Sequence, residues 1–491
     1  MQRAEKHYLT ENATAILLTL VLLIAAVVRF YDLDRTSLWY DEAASWSQSN
    51  GTLTELLTLV ASDNYPPLHN IVLWLTIPVI GDSETALRLP SAALGLIAVG
   101  LVYLVGKLLQ GRETGLLAAA LLAVSPLHIW YSTEARMYAL LAACGLAFLL
   151  ATLKVLQRPS RRWFAALVFT GAGFLYSHIY ALFGFASVGA VCGIVALVEV
   201  HKTRKPFTSN AFVASLAMGG SVVLFLPWLY LLFQRARSVA DEGFWIAYPN
   251  LQFLETLVFS LSGSIVLFWL LAGLGLLGAA LSFFKPISEQ LNPALNKQAV
   301  LVCFAYTLGP PLLAYLYSIL LQPILFDRYL IAAWPGLIVL AAMGATRLAP
   351  RTASIALIGA AVYLTYPQLS FTLTNKIRPE WRTITTFFKE NRAPGDRLLL
   401  YKGFSAPVLS YYLRGKGGFE AVEDVEELSV LTKTERSGKT WLLLVHSNEE
   451  ETAAAKALFF DGENETAAQV FGWGASGLTL LNSGEVQQNW R

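Results

Sequence analysis

Clusters of basic residues divide most of this chain into long apolar runs, and each run is close to the length that crosses a lipid bilayer. The clusters lie at 107–112, 154–162, 201–205, 285–297 and 347–351. Hydrophobic residues make up 55% of the 491 residues and charged residues only 14%, which excludes an ordinary soluble protein. The sequence therefore predicts an α-helical polytopic membrane protein.

The basic clusters also set the orientation, because loops rich in lysine and arginine stay on the cytoplasmic side of a membrane. The run 14–30 follows a short basic start and lacks a small-x-small cleavage site, so we expect an uncleaved span with the N-terminus inside. The pattern predicts about eleven spans, at 14–30, 87–106, 115–131, 136–153, 163–178, 180–200, 211–233, 263–284, 299–320, 329–346 and 353–369.

One apolar run does not fit this series. The run 68–80 is short, contains Pro78, and as a full crossing would invert every later basic cluster. We place it at the outer surface, so that 31–86 forms one external loop with two or three juxtamembrane helices. This loop belongs to a membrane domain over 1–370.

The composition changes after the last apolar run, and the segment 374–491 is charged. Strand-like and helix-like stretches alternate in it, with strands expected at 397–401 and 441–446 and a helix at 380–391. Further helices are expected near 405–413 and after Ser447. This alternation predicts a small C-terminal α/β domain, and the odd number of spans places it outside the cytoplasm.

The ionisable side chains of the membrane domain gather at its external face. They are Asp41, Glu42, Asp63, His69, His128, Glu134, Arg136, His178, Asp327 and Arg328. The interiors of the spans carry almost none, unlike an ion pathway or a transporter with polar groups near the midplane. The arrangement is typical of chemistry at the boundary between membrane and external water, on a substrate with a lipid tail.

An acidic pair directly follows the first span, in Trp39-Tyr40-Asp41-Glu42. These carboxylates can supply a general base, a ligand for Mg, Mn or Ca, or both, and a solvated juxtamembrane turn is the alternative. Neighbouring side chains in a helix or turn diverge, so we expect different roles for Asp41 and Glu42.

The other candidates each have a structural alternative. His69 either lines the same cavity or is a structural histidine, and Glu134 and Arg136 are either site residues or a local cap or ion pair. His178 lies between two spans, where it can contact an anionic group. Arg328 precedes Tyr329 at the mouth of a span, as a clamp on a lipid phosphate or as a snorkelling anchor.

Several short motifs occur together in one order. They are the acidic pair after the first span, Tyr65-Pro66-Pro67-Leu68, Arg88-Leu89-Pro90-Ser91, Ser125-Pro126 leading to Tyr131-Ser132-Thr133-Glu134-Ala135-Arg136-Met137-Tyr138, and Asp327-Arg328-Tyr329-Leu330 with Pro335. The set resembles the GT-C glycosyltransferases over about residues 10–370. It is most similar to the family 39 branch, which includes protein O-mannosyltransferases and lipid A aminoarabinose transferases.

The resemblance implies an inverting membrane transferase that uses a polyprenyl-phosphate sugar at the external face. By position, Asp41 matches the family's catalytic aspartate, Glu42 its neighbour, and Glu134 the acid of the second loop near the donor or metal. Arg328 and His178 fall where the family places contacts to the donor phosphate. Arg136 and Tyr329 are further candidates for binding this phosphate.

The implied partners follow from the same resemblance. They are a polyprenyl-phosphate sugar donor, the lipid bilayer, and a glycan, lipid or protein acceptor. Pro66-Pro67 stands where the lipid A branch has Lys-Pro, so that lysine contact is absent here. A divalent cation (Mg, Mn or Ca) is a candidate cofactor on Asp41, Glu42 and Glu134. No nucleotide cofactor is expected, because the chain lacks a Gly-rich phosphate loop.

The remaining predictions concern location and competing functions. We expect a multi-pass protein of the plasma (inner) membrane, with active site and C-terminal domain extracytoplasmic. A net charge of +2 without a long basic tract predicts no nucleic-acid partner. The alternatives are a transporter or flippase of lipid-linked glycans, and a non-enzymatic scaffold whose outer domain binds a partner.

Overall fold

The chain folds into two compact units. The computed structural model describes residues 10–63, 65–242, 246–284, 293–349, 351–375, 378–414, 418–432, 438–445, 447, 449–459, 469–471 and 478–482. The membrane unit comprises Met1–Tyr31, Thr52–Gly81 and Ala86–Thr374. The α/β unit comprises Asp32–Gly51, Asp82–Thr85 and Asn375–Arg491.

Helices dominate the described residues. They are α1 (Glu11–Phe30), α2 (Tyr40–Ser49), α3 (Leu53–Ala61), α4 (Leu68–Ile80), α5 (Glu84–Gln110), α6 (Arg112–Ala123), α7 (Pro126–Ser132), α8 (Tyr138–Gln157), α9 (Arg161–Ser177), α10 (Ala181–Thr203), α11 (Asn210–Glu242), α12 (Leu251–Ser262), α13 (Ile265–Phe284), α14 (Pro293–Leu320), α15 (Trp334–Leu348), α16 (Thr352–Thr374), α17 (Trp381–Asn391), α18 (Ala406–Leu413), α19 (Val425–Thr432) and α20 (Glu449–Phe459). Short 3-10 turns occupy Pro206–Thr208, Arg328–Leu330 and Gly403–Ser405.

Eight of the described helices are long and apolar enough to cross a membrane, namely α1, α5, α8, α10, α11, α13, α14 and α16. The pair α6 and α7 passes the same test together and gives a ninth, bent by 64°. The chain is therefore a multi-pass membrane protein, but the predicted number of about eleven spans is not confirmed. Helix α9 has only 17 residues and α15 has only 15, which is short for a membrane crossing. Helix α15 is short because a 3-10 turn, Arg328–Leu330, occupies the start of the span predicted at 329–346.

The predicted first loop contains three short helices, α2, α3 and α4. Helix α3 begins with a capping box, in which Thr52 and Glu55 satisfy each other's backbone N–H groups. Helix α4 is apolar but has only 13 residues, and Gly81 ends it with a positive φ of 83°. Its length is short of a membrane crossing.

Small residues allow a close helix contact in the membrane unit, between α13 and α15. A Cβ atom added to Gly278 would lie 2.6 Å from the backbone nitrogen of Gly344, and one added to Gly344 would overlap the carbonyl oxygen of Leu274. Apolar side chains gain little from leaving lipid, so close backbone approach is a main source of helix association there. The pair thus depends on both glycines.

Arg29, buried at the end of α1, holds the break between α6 and α7. Its guanidinium donates to the carbonyl oxygens of Leu122 and Ala123, at 3.0 and 3.1 Å. These carbonyls lie in the last turn of α6, where a helix lacks internal partners. The same group donates to Nδ1 of His128 in α7, at 3.0 Å. His128, predicted among the external ionisable residues, is therefore a partner of Arg29.

The α/β unit is built on a five-stranded sheet in the order β2-β1-β3-β5-β4. The strands are β1 (Arg397–Tyr401), β2 (Phe419–Val422), β3 (Thr440–Val445), β4 (Gln469–Phe471) and β5 (Leu478–Asn482). Strand β1 pairs in parallel with both β2 and β3, whereas β5 is antiparallel to β3 and β4. Strands β1 and β3 are buried on both faces, which explains their continuous apolar sequence.

Residues of the predicted first loop belong to this α/β unit. Ala43 of α2 lies in the same hydrophobic cluster as Trp441 of β3. The hydroxyl of Tyr411 donates to the carbonyl oxygen of Asp82 at 2.9 Å, and the N–H of Leu38 donates to the Tyr412 hydroxyl at 2.7 Å. The sequence assigned all of 31–86 to the membrane domain. The structure instead groups 32–51 and 82–85 with the C-terminal residues, through contacts too distant in sequence for a local pattern to indicate.

Candidate active site

Glu42 lies in the first turn of α2 and is completely buried. Its Oε2 accepts a hydrogen bond from Nη1 of Arg378 at 2.7 Å and one from the N–H of Trp39 at 3.4 Å. The Arg378 guanidinium also lies over the Trp39 ring, 5.4 Å from its centre. A buried carboxylate needs such compensation. Glu42 therefore fixes the start of α2.

Asp41 is in the same turn but is only partly buried. Successive residues of an α-helix point about 100° apart, so the two carboxylates of the pair diverge, as the sequence predicted. The carbonyl oxygen of Asp41 accepts from the Ser45 hydroxyl at 2.9 Å, one turn further along. Of the two predicted catalytic acids, Asp41 is the one that a substrate can reach.

The six other predicted site residues belong to the membrane unit. Glu134 and Arg136 lie in the connection between α7 and α8, and both are buried. Oε1 of Glu134 accepts from the indole Nε1–H of Trp130 at 2.8 Å. The Arg136 guanidinium lies over the ring of Tyr65, 5.2 Å from its centre. The fold thus presents both side chains from a fixed connection.

His69 holds this connection from α4. Its Nε2 forms a hydrogen bond of 3.0 Å with the carbonyl oxygen of Ala135, which lies between Glu134 and Arg136. Because a carbonyl oxygen can only accept, Nε2 carries the proton. Ser91 also holds this connection, because its hydroxyl donates a hydrogen bond to the carbonyl oxygen of Arg136 at 3.3 Å. His69 thus helps to hold the backbone between Glu134 and Arg136.

His178 and Arg328 meet within a cluster of aromatic rings. The ring of His178 lies 5.0 Å from that of Tyr329 and 6.1 Å from that of Tyr138, between ring centres. The Arg328 guanidinium lies 5.8 Å from the centre of Tyr138 and 5.6 Å from that of Tyr329. It also faces Phe326 at 4.9 Å. We call Arg136, His178, Arg328, Tyr138 and Tyr329 the arginine–tyrosine site.

Burial lowers the pKa of His178 to about 3, and the positive charges of Arg136 and Arg328 act in the same direction. The imidazole is therefore neutral at physiological pH. Its Nδ1 accepts the N–H of Tyr180 at 3.1 Å, so the proton resides on Nε2. A buried neutral histidine on which two guanidinium charges act lies in a region of positive potential.

An acid, Asp327, accompanies these cations. Burial raises the pKa of Asp327. The backbone N–H and the positive charge of Arg328 oppose this increase, as does the hydroxyl of Ser260. Oδ1 of Asp327 accepts the backbone N–H of Arg328 at 2.6 Å, which caps the 3-10 turn Arg328–Leu330. Asp327 thus helps to orient the segment that carries Arg328 and Tyr329.

The sequence did not single out several tyrosines around this site. Tyr131 and Tyr138 begin and end the motif that contains Glu134 and Arg136, and their rings lie 4.8 Å apart. Tyr180 follows His178 and packs 4.8 Å from Tyr329. The sequence could have indicated these tyrosines, because each lies within two or three residues of a predicted site residue.

The predicted metal ligands are Asp41 and Glu42 of the α/β unit and Glu134 of the membrane unit. In the part of the chain that the structure describes, no three His, Cys, Asp or Glu side chains group as a metal site. Oε2 of Glu42 is bonded to Arg378, and Oε1 of Glu134 to Trp130.

Comparisons with known proteins agree with this fold. Residues 64–231 match the sequence model of the family described as dolichyl-phosphate-mannose-protein mannosyltransferase. No curated protein sequence matches the chain.

Solved structures match over nearly the whole chain. The apo structure of ArnT from Cupriavidus metallidurans aligns with a TM-score of 0.64 at 15% identity, covering 96% of this chain and 98% of that one. ArnT from the same organism bound to undecaprenyl phosphate aligns with a TM-score of 0.63 at 14% identity, covering 97% and 99%. The archaeal oligosaccharyltransferase AglB from Archaeoglobus fulgidus, in complex with an inhibitory peptide and a dolichol-phosphate, aligns with a TM-score of 0.54 at 10% identity. The alignment covers 94% of this chain and 74% of that one.

The fold and the family model agree with each other. The chain is a multi-pass membrane protein with the fold of the ArnT structures, and the predicted resemblance to protein O-mannosyltransferases and lipid A aminoarabinose transferases is confirmed. The agreement extends beyond the family model, since the ArnT structures share the fold over the C-terminal part as well.

Proposed function

We propose that the protein transfers a sugar from a polyprenyl-phosphate donor to a hydroxyl group of an acceptor, with inversion, at the external face of the membrane. The fold and the family model support glycosyl transfer in general. One aligned structure holds undecaprenyl phosphate and another a dolichol-phosphate, which supports a lipid-linked donor for this fold.

The observation that carries the proposal is that His178 and Arg328 share the rings of Tyr138 and Tyr329, and that the charges of Arg136 and Arg328 both act on His178. Two guanidinium groups in a low-dielectric surrounding favour a bound anion, and arginine forks match phosphate oxygens. The aromatic rings of Tyr138 and Tyr329 complete this environment. A lipid phosphate carries the negative charge that this environment favours.

The reaction breaks the bond between the anomeric carbon and a phosphate oxygen while the acceptor oxygen bonds to that carbon. Negative charge grows on the leaving lipid phosphate, and donors placed in advance lower the barrier. Arg136, Arg328 and the Nε2–H of His178 are assigned this task. Because His178 is neutral and holds its proton, it donates a hydrogen bond without transferring the proton.

The acceptor hydroxyl must lose its proton as it attacks. Asp41 is assigned as the general base, since it is the partly exposed acid of the pair. The proton moves to the Asp41 carboxylate, and the polyprenyl phosphate leaves with the bonding electrons. Glu42, held by Arg378, is assigned a positioning role for the same turn of α2.

Two further parts of the proposal come from the sequence. The positive-inside pattern supports a plasma-membrane protein whose site and α/β unit face outward. A divalent cation on Asp41, Glu42 and Glu134 stays a prediction. Treatment with EDTA followed by Mg, Mn or Ca tests it, since a metal-dependent enzyme loses its activity and regains it with one of these ions.

The proposal is tested with purified protein in nanodiscs and a panel of synthetic undecaprenyl-phosphate sugars, each labelled in the sugar. We expect release of undecaprenyl phosphate and appearance of label in an acceptor fraction from envelope extract. Failure of every donor to release lipid phosphate would contradict the proposal. A reporter fused after Arg491 tests orientation separately, and a cytoplasmic signal would contradict the external assignment.

A further inference from the structure

Two exposed aromatic side chains meet in the α/β unit. The rings of Tyr40 and Phe404 pack edge to face, 5.4 Å apart between centres and at 86°. Tyr40 is 37% exposed and Phe404 is 44% exposed. Among the described residues of this unit, Val430 is the only other large apolar side chain that is comparably exposed. Apolar side chains that are exposed together, rather than singly, indicate a binding surface.

Tyr40 lies next to the proposed base. It is the first residue of α2 and directly precedes Asp41. The start of α2 is fixed by the buried bond between Glu42 and Arg378, so the ring and the Asp41 carboxylate are presented from one rigid turn. A group that rests on the Tyr40 ring is therefore held by the same turn that carries Asp41.

Phe404 is presented by a braced turn at the carboxyl end of β1. Lys402 enters the turn with a positive φ of 68°, its N–H donates to the carbonyl oxygen of Val422 at 2.7 Å, and its Nζ binds Glu451 at 2.9 Å. Gly403 follows, and a Cβ atom placed on it would overlap Oε1 of Glu423. The carboxylate of Glu423 thus lies beside the residue that precedes Phe404.

We propose that Tyr40 and Phe404 form a platform that binds the acceptor, and that this acceptor is a glycan of neutral or amino sugars. The proposal rests on the function proposed above. The C–H faces of pyranose rings stack on aromatic rings, while sugar hydroxyl groups donate to carboxylates such as Glu423. Glu423 is exposed and Asp41 is partly exposed, and the negative charges of these two carboxylates disfavour an anionic sugar. The positive charge of Lys402 does not offset them, because Lys402 is paired with Glu451.

The platform is tested in full-length protein with three acceptor probes: mannotriose and a glucosamine trisaccharide, each labelled at the reducing end, and a serine-containing peptide. Donor hydrolysis, with water as acceptor, is followed in parallel. We expect transfer to at least one trisaccharide. We expect Phe404→Ala and Tyr40→Ala to raise the KM for it about tenfold, with donor hydrolysis unchanged. Phe404→Trp and Tyr40→Phe keep an aromatic ring and should retain the wild-type KM. Val430→Ala, which removes an exposed apolar side chain outside the platform, is the matched control and should also retain it.

The outcomes separate the two proposals. Transfer to the peptide alone, or an unchanged glycan KM in Phe404→Ala, would overturn the platform and leave the glycosyltransferase proposal standing. An equal loss of hydrolysis and transfer in Phe404→Ala would also overturn it, because that pattern indicates a structural role. If wild-type protein cleaves no donor, the proposed function fails, and the platform fails with it.

Discussion

Arg378 donates a hydrogen bond from Nη1 to Oε2 of Glu42 at 2.7 Å, between two residues 336 positions apart. Glu42 is wholly buried and the Arg378 side chain is only 12% exposed. The pair joins the segment after the last span to the turn that carries Asp41. It explains why an acid beside the proposed base is placed where substrate cannot reach it.

Breaking this pair should destabilise the α/β unit. Removing one partner of a buried ion pair leaves an uncompensated charge and costs about 3–5 kcal/mol. We expect Glu42→Ala and Arg378→Met to lower the free energy of unfolding by about this amount. Denaturant titration of the purified protein measures this change. Glu451→Gln is the matched control. It removes the partly exposed pair with Lys402, which is worth at most about 1 kcal/mol. Equal effects of Glu42→Ala and Glu451→Gln would contradict the buried role.

The arginine–tyrosine site should determine donor affinity. A hydrogen bond between a guanidinium and a phosphate contributes about 1.5–3 kcal/mol. We therefore expect Arg328→Gln to weaken the binding of undecaprenyl phosphate about 10- to 100-fold, measured as a Kd in nanodiscs. Arg161→Gln, which removes an exposed arginine at the start of α9, is the control and should bind as wild type does. Wild-type affinity in Arg328→Gln would remove Arg328 from the phosphate site.

His178 should make the protein sensitive to acid. Its pKa is about 3 in the folded state, against an ordinary value of 6.5 in an unfolded chain. Below pH 6.5 the unfolded state binds more protons, so this histidine favours unfolding increasingly as the pH falls towards 3. We expect His178→Gln to reduce the loss of stability between about pH 6.5 and 4.5 by up to about 1 kcal/mol per pH unit, measured by denaturant titration at each pH. The same acid dependence in both proteins would contradict a neutral His178.

The contact between α13 and α15 gives a test of the membrane unit. A methyl group at Gly344 would overlap the backbone of Leu274, so the two helices must separate. We expect Gly344→Ala to cost at least about 1–3 kcal/mol, the range for overpacking, seen as a lower Tm in detergent. Gly273→Ala, on α13 with open space around it, is the control and should change the Tm little. A similar Tm for both variants would contradict the close packing.

Local patterns predicted much of this fold. The strand 397–401 and the helix that ends at Asn391 lie where the sequence placed them, because continuous apolar residues and turn signals are local. Strands β2, β4 and β5 were not predicted, since short strands are defined by partners distant in sequence. The apolar runs fixed most spans, but not where a helix breaks, as at α6 and α7.

The candidate site was predicted as a set of residues, not as an arrangement. Sidedness, with the family resemblance for His178 and Arg328, selected Arg136, His178 and Arg328, and the fold brings these residues into one neighbourhood. The sequence offered no means to see that Glu42 pairs with Arg378, or that Tyr40 packs against Phe404, because both contacts join residues far apart in the chain. Such contacts depend on tertiary packing.

The most direct test of the account is transfer of labelled sugar from undecaprenyl-phosphate donors by wild type, Asp41→Asn and Asp34→Asn. Asp34 is an exposed acid of the same unit and serves as the matched control. General base catalysis contributes about 10²- to 10⁴-fold. We predict that Asp41→Asn lowers kcat by this factor, with the Kd for undecaprenyl phosphate unchanged, while Asp34→Asn behaves as wild type. A folded Asp41→Asn protein that turns over at the wild-type rate would contradict Asp41 as the base.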